Sequence, residues 1–298
     1  MAMTRSQFQR FLFDGIREVI FKKYREIPLR YTSIFNVLTS QKAFEEDNQI
    51  AGAGLLVRTP ENSGTPEDAM LPGFPKRYQH NDYRLKVGAS MQLRRDERTG
   101  FWRDRASDLG YSTRQTKEIL HAGYIDSGFT TSLGPDGVSL YSAVHPNIKQ
   151  GTQSNIIALN STLTVVGYRL ALQQFRRFFD DTGVRRVQLM PSLLWVPPEL
   201  EYDALEIVNS TQRPDTANRA DNVAKGKTSV FVWEYLLDTN AWGINCDKGV
   251  IKLKSFNRTD MEVDRNEDWD TEIDHVRVKT AFSFGHSHWI GTLASNPV

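Results

Sequence analysis

His286 and His288 stand two apart near the C-terminus, in a stretch that alternates like a strand, and that spacing turns both rings to one face as a metal pair requires. His275 could add a third ligand. Gly285 and Trp289 point to a turn instead, and no carboxylate is fixed by spacing, so a polar strand face accounts for these residues. Asp264, Asn266 and Asp268 reproduce the start of a calcium loop, but Trp269 stands where the sharp turn needs glycine and His275 where the loop closes on glutamate. It is not a calcium loop. Ser139 and Ser142 are the hydroxyls near His145, yet no G-x-S-x-G elbow precedes a helix. Gly52 and Gly54 lead into an expected strand over 51–58, not a helix, and there is no Walker loop. His145 before Pro146 reads as a turn residue. Nothing asks for an enzyme; the alternative in that class is a hydrolase or metal enzyme using His145, His286 and His288.

The elements that would position these residues are organised around residues 98–127. Phe101, Trp102, Leu109, Ser112, Thr116, Ile119, Leu120, Gly123 and Tyr124 recur at three-and-four spacing, which predicts one helix roughly 40 Å long. Arg103, Asp104, Asp108, Arg114, Lys117 and Glu118 fall on its other faces, expected to meet water or another subunit. Residues 6–24 predict an amphipathic helix with Ser6 as cap and a basic excess, read as a solvated polar face on a packed helix. Residues 78–93 alternate like a strand, and 59–75 between the two expected strands hold four prolines and two glycines, far more than a hairpin turn needs. A two-stranded arm has no core of its own and must lie on something else, plausibly a neighbouring copy.

Further along, residues 162–181 predict a helix stopped by Gly183, 193–196 a buried strand, and 199–210 a helix entered through Pro197 and Pro198. Strands are expected at 229–237 and 241–246 around the turn Asp238, Thr239, Asn240, giving an α+β unit. A strand at 251–256 precedes an acidic run from Glu262 to Asp274, and strands close the chain from His275 onward. The run reads either as a solvated loop or as a surface facing Arg94, Arg95 and Arg98, or the basic first segment, in another subunit.

Composition narrows the function classes. A chain of 298 residues with 39% hydrophobic and 11% aromatic content is folded, with one to three domains. No apolar run is long enough to span a membrane, and charges interrupt the place where a signal peptide has its apolar stretch, so the expectation is a cytoplasmic product without a membrane partner. Cys246 is the lone cysteine, read as a small core residue with no disulfide or redox role. With 37 basic and 36 acidic residues, the net charge of +1 argues against a broad nucleic-acid-binding surface.

Three motifs then fall in order: Leu140 to Pro146 (LYSAVHP), Val196 to Leu200 (VPPEL) and Asn240 to Trp242 (NAW). Behind a long helix and ahead of a strand-rich end, they resemble the major capsid proteins of tailed double-stranded DNA bacteriophages. The pattern is most similar to the Mu-like major head subunit group of the Hong Kong 97-type fold, with Tyr141 where that group has phenylalanine. The resemblance implies an α+β fold with an N-terminal arm over 1–49 and an extended β-hairpin loop over 50–87. A peripheral domain with the spine helix would take 88–129 and 247–298, and an axial α+β domain 130–246. It implies self-assembly through pentamers and hexamers into an icosahedral shell around double-stranded DNA, without sequence-specific binding and without catalytic residues, metals or cofactors.

Identical subunits, a separate scaffolding protein, a portal and a cement protein are the implied partners. Scaffolding is assigned to another protein because this chain opens directly in the arm. The implied location is the virion, assembled in the host bacterial cytoplasm. Expected inter-subunit contacts are Arg17, Lys22, Lys23, Arg58, Lys76, Arg77, Lys86, Arg94, Arg95, Glu267, Asp268 and Asp270. Some members cross-link a loop lysine to an asparagine; Lys76 or Lys86 with Asn296 is available here, but no catalytic carboxylate is identifiable. A cellular nanocompartment shell of the same fold is the alternative within the fold.

Overall fold

The computed structural model describes residues 5–69, 71–96, 100–157, 160–213, 220–268 and 270–297, with the side chains of all but 5–14, 94 and 95. The chain opens with α1 (Arg5–Glu26), and β1 (Asn36–Thr39) follows after a short turn. A hairpin of β2 (Phe44–Ile50) and β3 (Pro72–Gln79) comes next, then β4 (Asn81–Ser90), α2 (Met91–Asp96) and α3 (Phe101–Asp126). The expected strand over 51–58 does not form; that stretch is part of an irregular segment over 51–69. The strand preceding the loop is instead FEEDNQI, paired with Glu46 opposite Arg77 and Asp47 opposite Lys76. Its residues are mostly charged or polar, with Glu46 4.0 Å from Arg77 across the ladder and Asp47 turned to Lys254, so a search for apolar alternation passes over it.

Two four-stranded sheets carry the rest. The first has the order β1, β10 (Leu253–Asp268), β11 (Ile273–His286), β4, with β1 parallel to β10 and the other pairs antiparallel. The acidic run is therefore a strand and the tip of a long hairpin, not a loop. The second sheet is built from a segment inserted between α3 and β10. It contains the small pair β5 (His145–Pro146) and β6 (Thr152–Gln153), then α4 (Val165–Phe175), β7 (Pro191–Val196), α5 (Glu201–Asn209), β8 (Ser229–Val232) and β9 (Trp242–Cys246). Its order is β12 (Thr292–Ser295), β9, β7, β8, so the last strand of the chain returns to this sheet after β11 has completed the first. α4 is shorter than its apolar pattern suggests: it ends at Phe175, and Phe178 turns inward against Trp289, their rings at 5.6 Å.

Each sheet has its own core. Ile16, Ile20 and Tyr24 of α1 pack with Trp102, Ala106 and Leu109 of α3 over Met261, Val263, Val276 and Val278. The first segment thus has a partner in its own chain. Trp195, Trp233, Trp242, Tyr168, Phe175 and Ile244 fill the second core, which also takes Ala122 and Ile125 from the far end of α3. One helix serves both.

The face that α3 buries is not the expected one. Phe101 and Ile119 are exposed, while Lys117 and Glu118, expected at the surface, are 0% and 1% exposed. Lys117 Nζ lies 2.7 Å from Asp260 Oδ1 and 3.1 Å from the Tyr24 hydroxyl. Glu118 accepts the backbone N-H groups of Arg30 (2.5 Å) and Tyr31 (3.2 Å) and the indole Nε1-H of Trp233 (3.0 Å). Sequence spacing read the pair as solvent-facing because charge usually is; these two are buried because every polar atom has a designated partner.

α1 can lie this close because residue 110 is glycine. A Cβ there would stand 2.3 Å from the Ile20 carbonyl oxygen. Gly110→Ala should push the helices apart and cost about 1–3 kcal/mol, read as a lowered melting temperature; an unchanged melt would mean that α1 is not seated here. Glu118→Gln presents an amide where three donors converge and should cost roughly 2–4 kcal/mol in denaturant unfolding. Burial holds the Glu118 carboxyl above its ordinary value, against the pull of its hydrogen bonds. The wild type should therefore lose stability as pH rises from the ordinary carboxyl value through the raised one, a component absent from the glutamine variant.

Candidate functional site

The histidines do not form a chemical centre. β11 ends at His286 and His288 lies in the turn beyond it, so the two rings have different surroundings. His286 Nδ1 meets the Tyr124 hydroxyl at 2.6 Å, His288 Nε2 pairs with Asp181, and His145 Nδ1 pairs with Asp136 at 2.7 Å. His275 is opposite Gly88, eleven residues along β11 from His286 and so about 35 Å away. Among the described residues no group of three His, Cys, Asp or Glu side chains could hold a metal. Asp264 and Asn266 are in a strand, and Cys246 is buried, its thiol pushed up to about 11 by burial.

What the fold exposes is a projecting loop on a fastened base. At the base, Gln49 Nε2 donates to the Ser287 carbonyl at 2.9 Å, the Tyr78 hydroxyl meets Ser287 Oγ at 2.6 Å, and Lys254 pairs with Asp47. Lys76 Nζ donates to the Leu133 carbonyl at 2.9 Å, and burial lowers its hold on the proton. Asp68 joins the two limbs of the loop to the second sheet's region, accepting the Gly54 N-H at 2.7 Å and pairing with Lys149 at 2.5 Å. Between these two anchors, Leu55, Leu56 and Val57 are exposed, Leu56 completely. Three consecutive apolar side chains thus stand in water, the kind of surface associated with interaction sites.

The remaining candidate contacts are scattered over the surface. Arg17 and Lys22 are exposed on α1, and Lys23 pairs with Glu26 at 2.9 Å within the helix. Arg58 is exposed in the loop, and Arg77 lies over the Phe44 ring at 3.6 Å. Lys86 is exposed on β4, beside a ladder on the outer face of the first sheet in which Arg277 pairs with Asp264 and Lys279 with Glu262. Much of the acidic run is thus matched by its own neighbouring strand. The side chains of Arg94 and Arg95, and Arg98 altogether, lie outside the described residues. Glu267 is 3.8 Å from Arg265. Asp268 folds its own turn, accepting from the Asp270 N-H at 3.1 Å and the Thr271 hydroxyl at 2.8 Å, while Asp270 is exposed.

Sequence reasoning missed Asp68 with Lys149, and Asp136 with His145. The Gly-Pro-Asp-Gly turn at 134–137 was the available signal for the second. Nothing in the spacing of 68 and 149 marks the first.

Two sheets joined by one helix, with a long loop on a fixed base, have the Hong Kong 97-type fold, as solved structures show. The fold is similar to the mature capsid subunit of bacteriophage PhiM1, with a TM-score of 0.59 and 12% identity over 87% of this chain and 83% of that one. It is likewise similar to the capsid of bacteriophage JBD30, which is decorated with minor capsid protein trimers (TM-score 0.58, 14% identity, 70% of this chain and 91% of that). A virus-like particle from Pyrococcus furiosus matches at a TM-score of 0.55 and 12% identity, over 95% of this chain and 98% of that. At these identities the likeness is one of fold. No curated protein matches in sequence. A family model described as phage capsid protein matches residues 76–295, and the chain belongs to that family. It is a structural protein of the virion, the major capsid subunit of an icosahedral shell.

Asp268 and Asp270 separate local from inter-subunit roles. Asp268→Lys should cost the isolated subunit about 1 kcal/mol through its turn, whereas Asp270→Lys should stay within about 0.5 kcal/mol. If Asp270 faces a cation across an interface, its reversal lowers shell stability at low salt and less so at high salt; particles insensitive to it at every ionic strength would remove Asp270 from the contacts.

Proposed function

We propose that assembly is divided among four regions: an N-terminal arm over 1–49, the extended loop over 50–87, a peripheral region over 88–129 and 247–298, and an axial region over 130–246. The axial region gathers around the centres of pentamers and hexamers, and the extended loop lies over a neighbouring subunit. The arm's role is narrower than its length suggests, because the second half of α1 is already packed on α3. β1 of the arm and β4, which begins at Asn81 inside the 50–87 region, both lie within the peripheral sheet, and β12 lies within the axial one, so strands cross these boundaries.

The observation that carries this reading is the apolar tip, Leu55 to Val57, held out from a base that ion pairs and hydrogen bonds fix in place. Such a segment gains its burial only in the assembly, where obligate interfaces commonly exceed about 2,000 Å². The near-neutral net charge of +1 suits a wall that confines double-stranded DNA without gripping it. The shell reading assigns no catalysis to the subunit. Scaffolding, portal and cement functions belong to other proteins, and assembly takes place in the host cytoplasm.

Leu56→Asp tests the loop. The side chain touches nothing in its own subunit, so the melting temperature of the unassembled chain should not move, while particle yield by sedimentation and electron microscopy should fall at least tenfold. Full yield of normal particles would overturn the role given to the loop.

A further inference from the structure

We infer that neighbouring copies meet head to tail through two helices of opposite charge, α4 of one copy receiving α5 of the next. The pairing rests on the reading that places the axial region around the centres of pentamers and hexamers. Two stretches of single sign motivate it. Residues 161–179, which contain α4, carry three arginines and no acid, whereas residues 187–212, which contain α5, carry four carboxylates and no base.

Both helices turn these charges to water. α4 buries Gly167, Tyr168, Ala171 and Phe175, and the opposite stripe of Val166, Arg169, Gln173 and the capping residue Arg176 is exposed. α5 buries Ala204, Ile207 and Val208 and exposes Tyr202, Asp203 and Glu206. Among the described residues, Arg169, Arg176, Asp203 and Glu206 have no ion pair and no side-chain hydrogen bond, unlike the laddered charges of the first sheet. Each helix is also held in place. The Tyr168 hydroxyl meets Thr228 Oγ1 at 2.9 Å, Gln174 Nε2 donates to the Ile156 carbonyl at 2.7 Å, and α5 is the crossover between the parallel strands β7 and β8. The two sets of charge therefore find each other only between copies.

Helix ends account for part of the pattern, since Asp203 lies in the first turn of α5 and Arg176 caps the end of α4, where the helix dipole favours those signs. Arg169 stands in the middle of its helix, and Glu206 is in the C-terminal half of α5, where the dipole opposes a carboxylate. Those two charges do not serve their own helices. A closed ring, in turn, needs two different patches on every subunit, because rotation about its centre presents one side of a copy to the other side of the next. Two complementary, unpaired faces meet that need. Tyr202, 83% exposed among the carboxylates, and Val166, 58% exposed one turn from Arg169, give each face an apolar centre.

Charge exchange in the full chain tests the pairing. Arg169→Glu with Arg176→Glu makes α4 acidic, and Asp203→Lys with Glu206→Lys makes α5 basic. Either pair alone sets like charges against each other, and particle yield by sedimentation and electron microscopy should fall about tenfold or more. The chain carrying all four substitutions exchanges the signs of both faces and should recover most of the wild-type yield. Purely local roles predict the opposite, because the costs to two separate helices add. Should a pair unfold the subunit, the single reversals Arg169→Glu and Glu206→Lys and their combination must show the same loss and recovery. Either pair assembling at wild-type yield overturns the pairing, as does a combination no better than the worse of its parts; wild-type shells in the same experiment leave the axial reading standing. A wild-type particle map with residues 130–246 away from the capsomer centres overturns both.

Discussion

A single carboxylate, Glu118, ties together the parts of this subunit that sequence separates most widely. It receives two backbone N-H groups from the turn after α1 and the indole N-H of Trp233 from the second sheet's region, all from the middle of α3. Its neighbour Lys117 reaches the opposite way, to Asp260 on β10 and to the Tyr24 hydroxyl. Two adjacent charges on one helix thus fix the first segment and the two sheets in one relation. An apolar residue at either position would bury as much surface but would leave the convergent donors unmatched. Directional polar contacts of this kind select one arrangement of the two sheets among the many that greasy packing would tolerate.

Much of the fold was legible in advance because it rests on periodicity. The helices at 101–126 and 5–26, the Pro-Pro entry to α5, the apolar strands β7 and β9 and the closing strands all follow from spacing and caps. What escaped was polar. β2 is a strand of charged residues, Glu46 facing Arg77 of β3 and Asp47 reaching Lys254 of β10, and the acidic stretch before His275 is strand in which β11 returns Arg277 and Lys279 to Asp264 and Glu262. The buried face of α3 was misplaced for the same reason, since a lysine and a glutamate were assigned to water. Periodicity finds apolar faces; it is blind to a charge whose partner lies a hundred residues away. Among the candidate contact residues, Lys76 and Asp268 also make hydrogen bonds within their own chain, which spacing does not reveal.

The same economy explains the outer surface. Exposed charges on the first sheet are answered by near neighbours, Arg277 with Asp264 and Lys279 with Glu262 across β10 and β11, and Arg84 with Asp82 within β4. Individual surface pairs contribute little to stability. Their effect is to leave the apolar loop tip as a conspicuous unsatisfied feature, and the rigid base beneath it presents that tip in a fixed direction. Shell proteins need many identical copies to meet in few ways, and a near-neutral body with an apolar run on an anchored loop limits the ways in which they can.

The order in which the first sheet is completed has a consequence in time. β1 and β4 leave the ribosome early, yet both pair only with β10 and β11, which lie beyond residue 252, and β12 closes the second sheet later still. Until nearly the whole chain has been synthesised, the first sheet cannot form and the second lacks its edge strand. A nascent subunit therefore displays no finished surface that another subunit could dock on, although its loop tip is already exposed. Topology delays polymerisation until each copy is whole, and a truncated chain is excluded from the wall without any separate inspection.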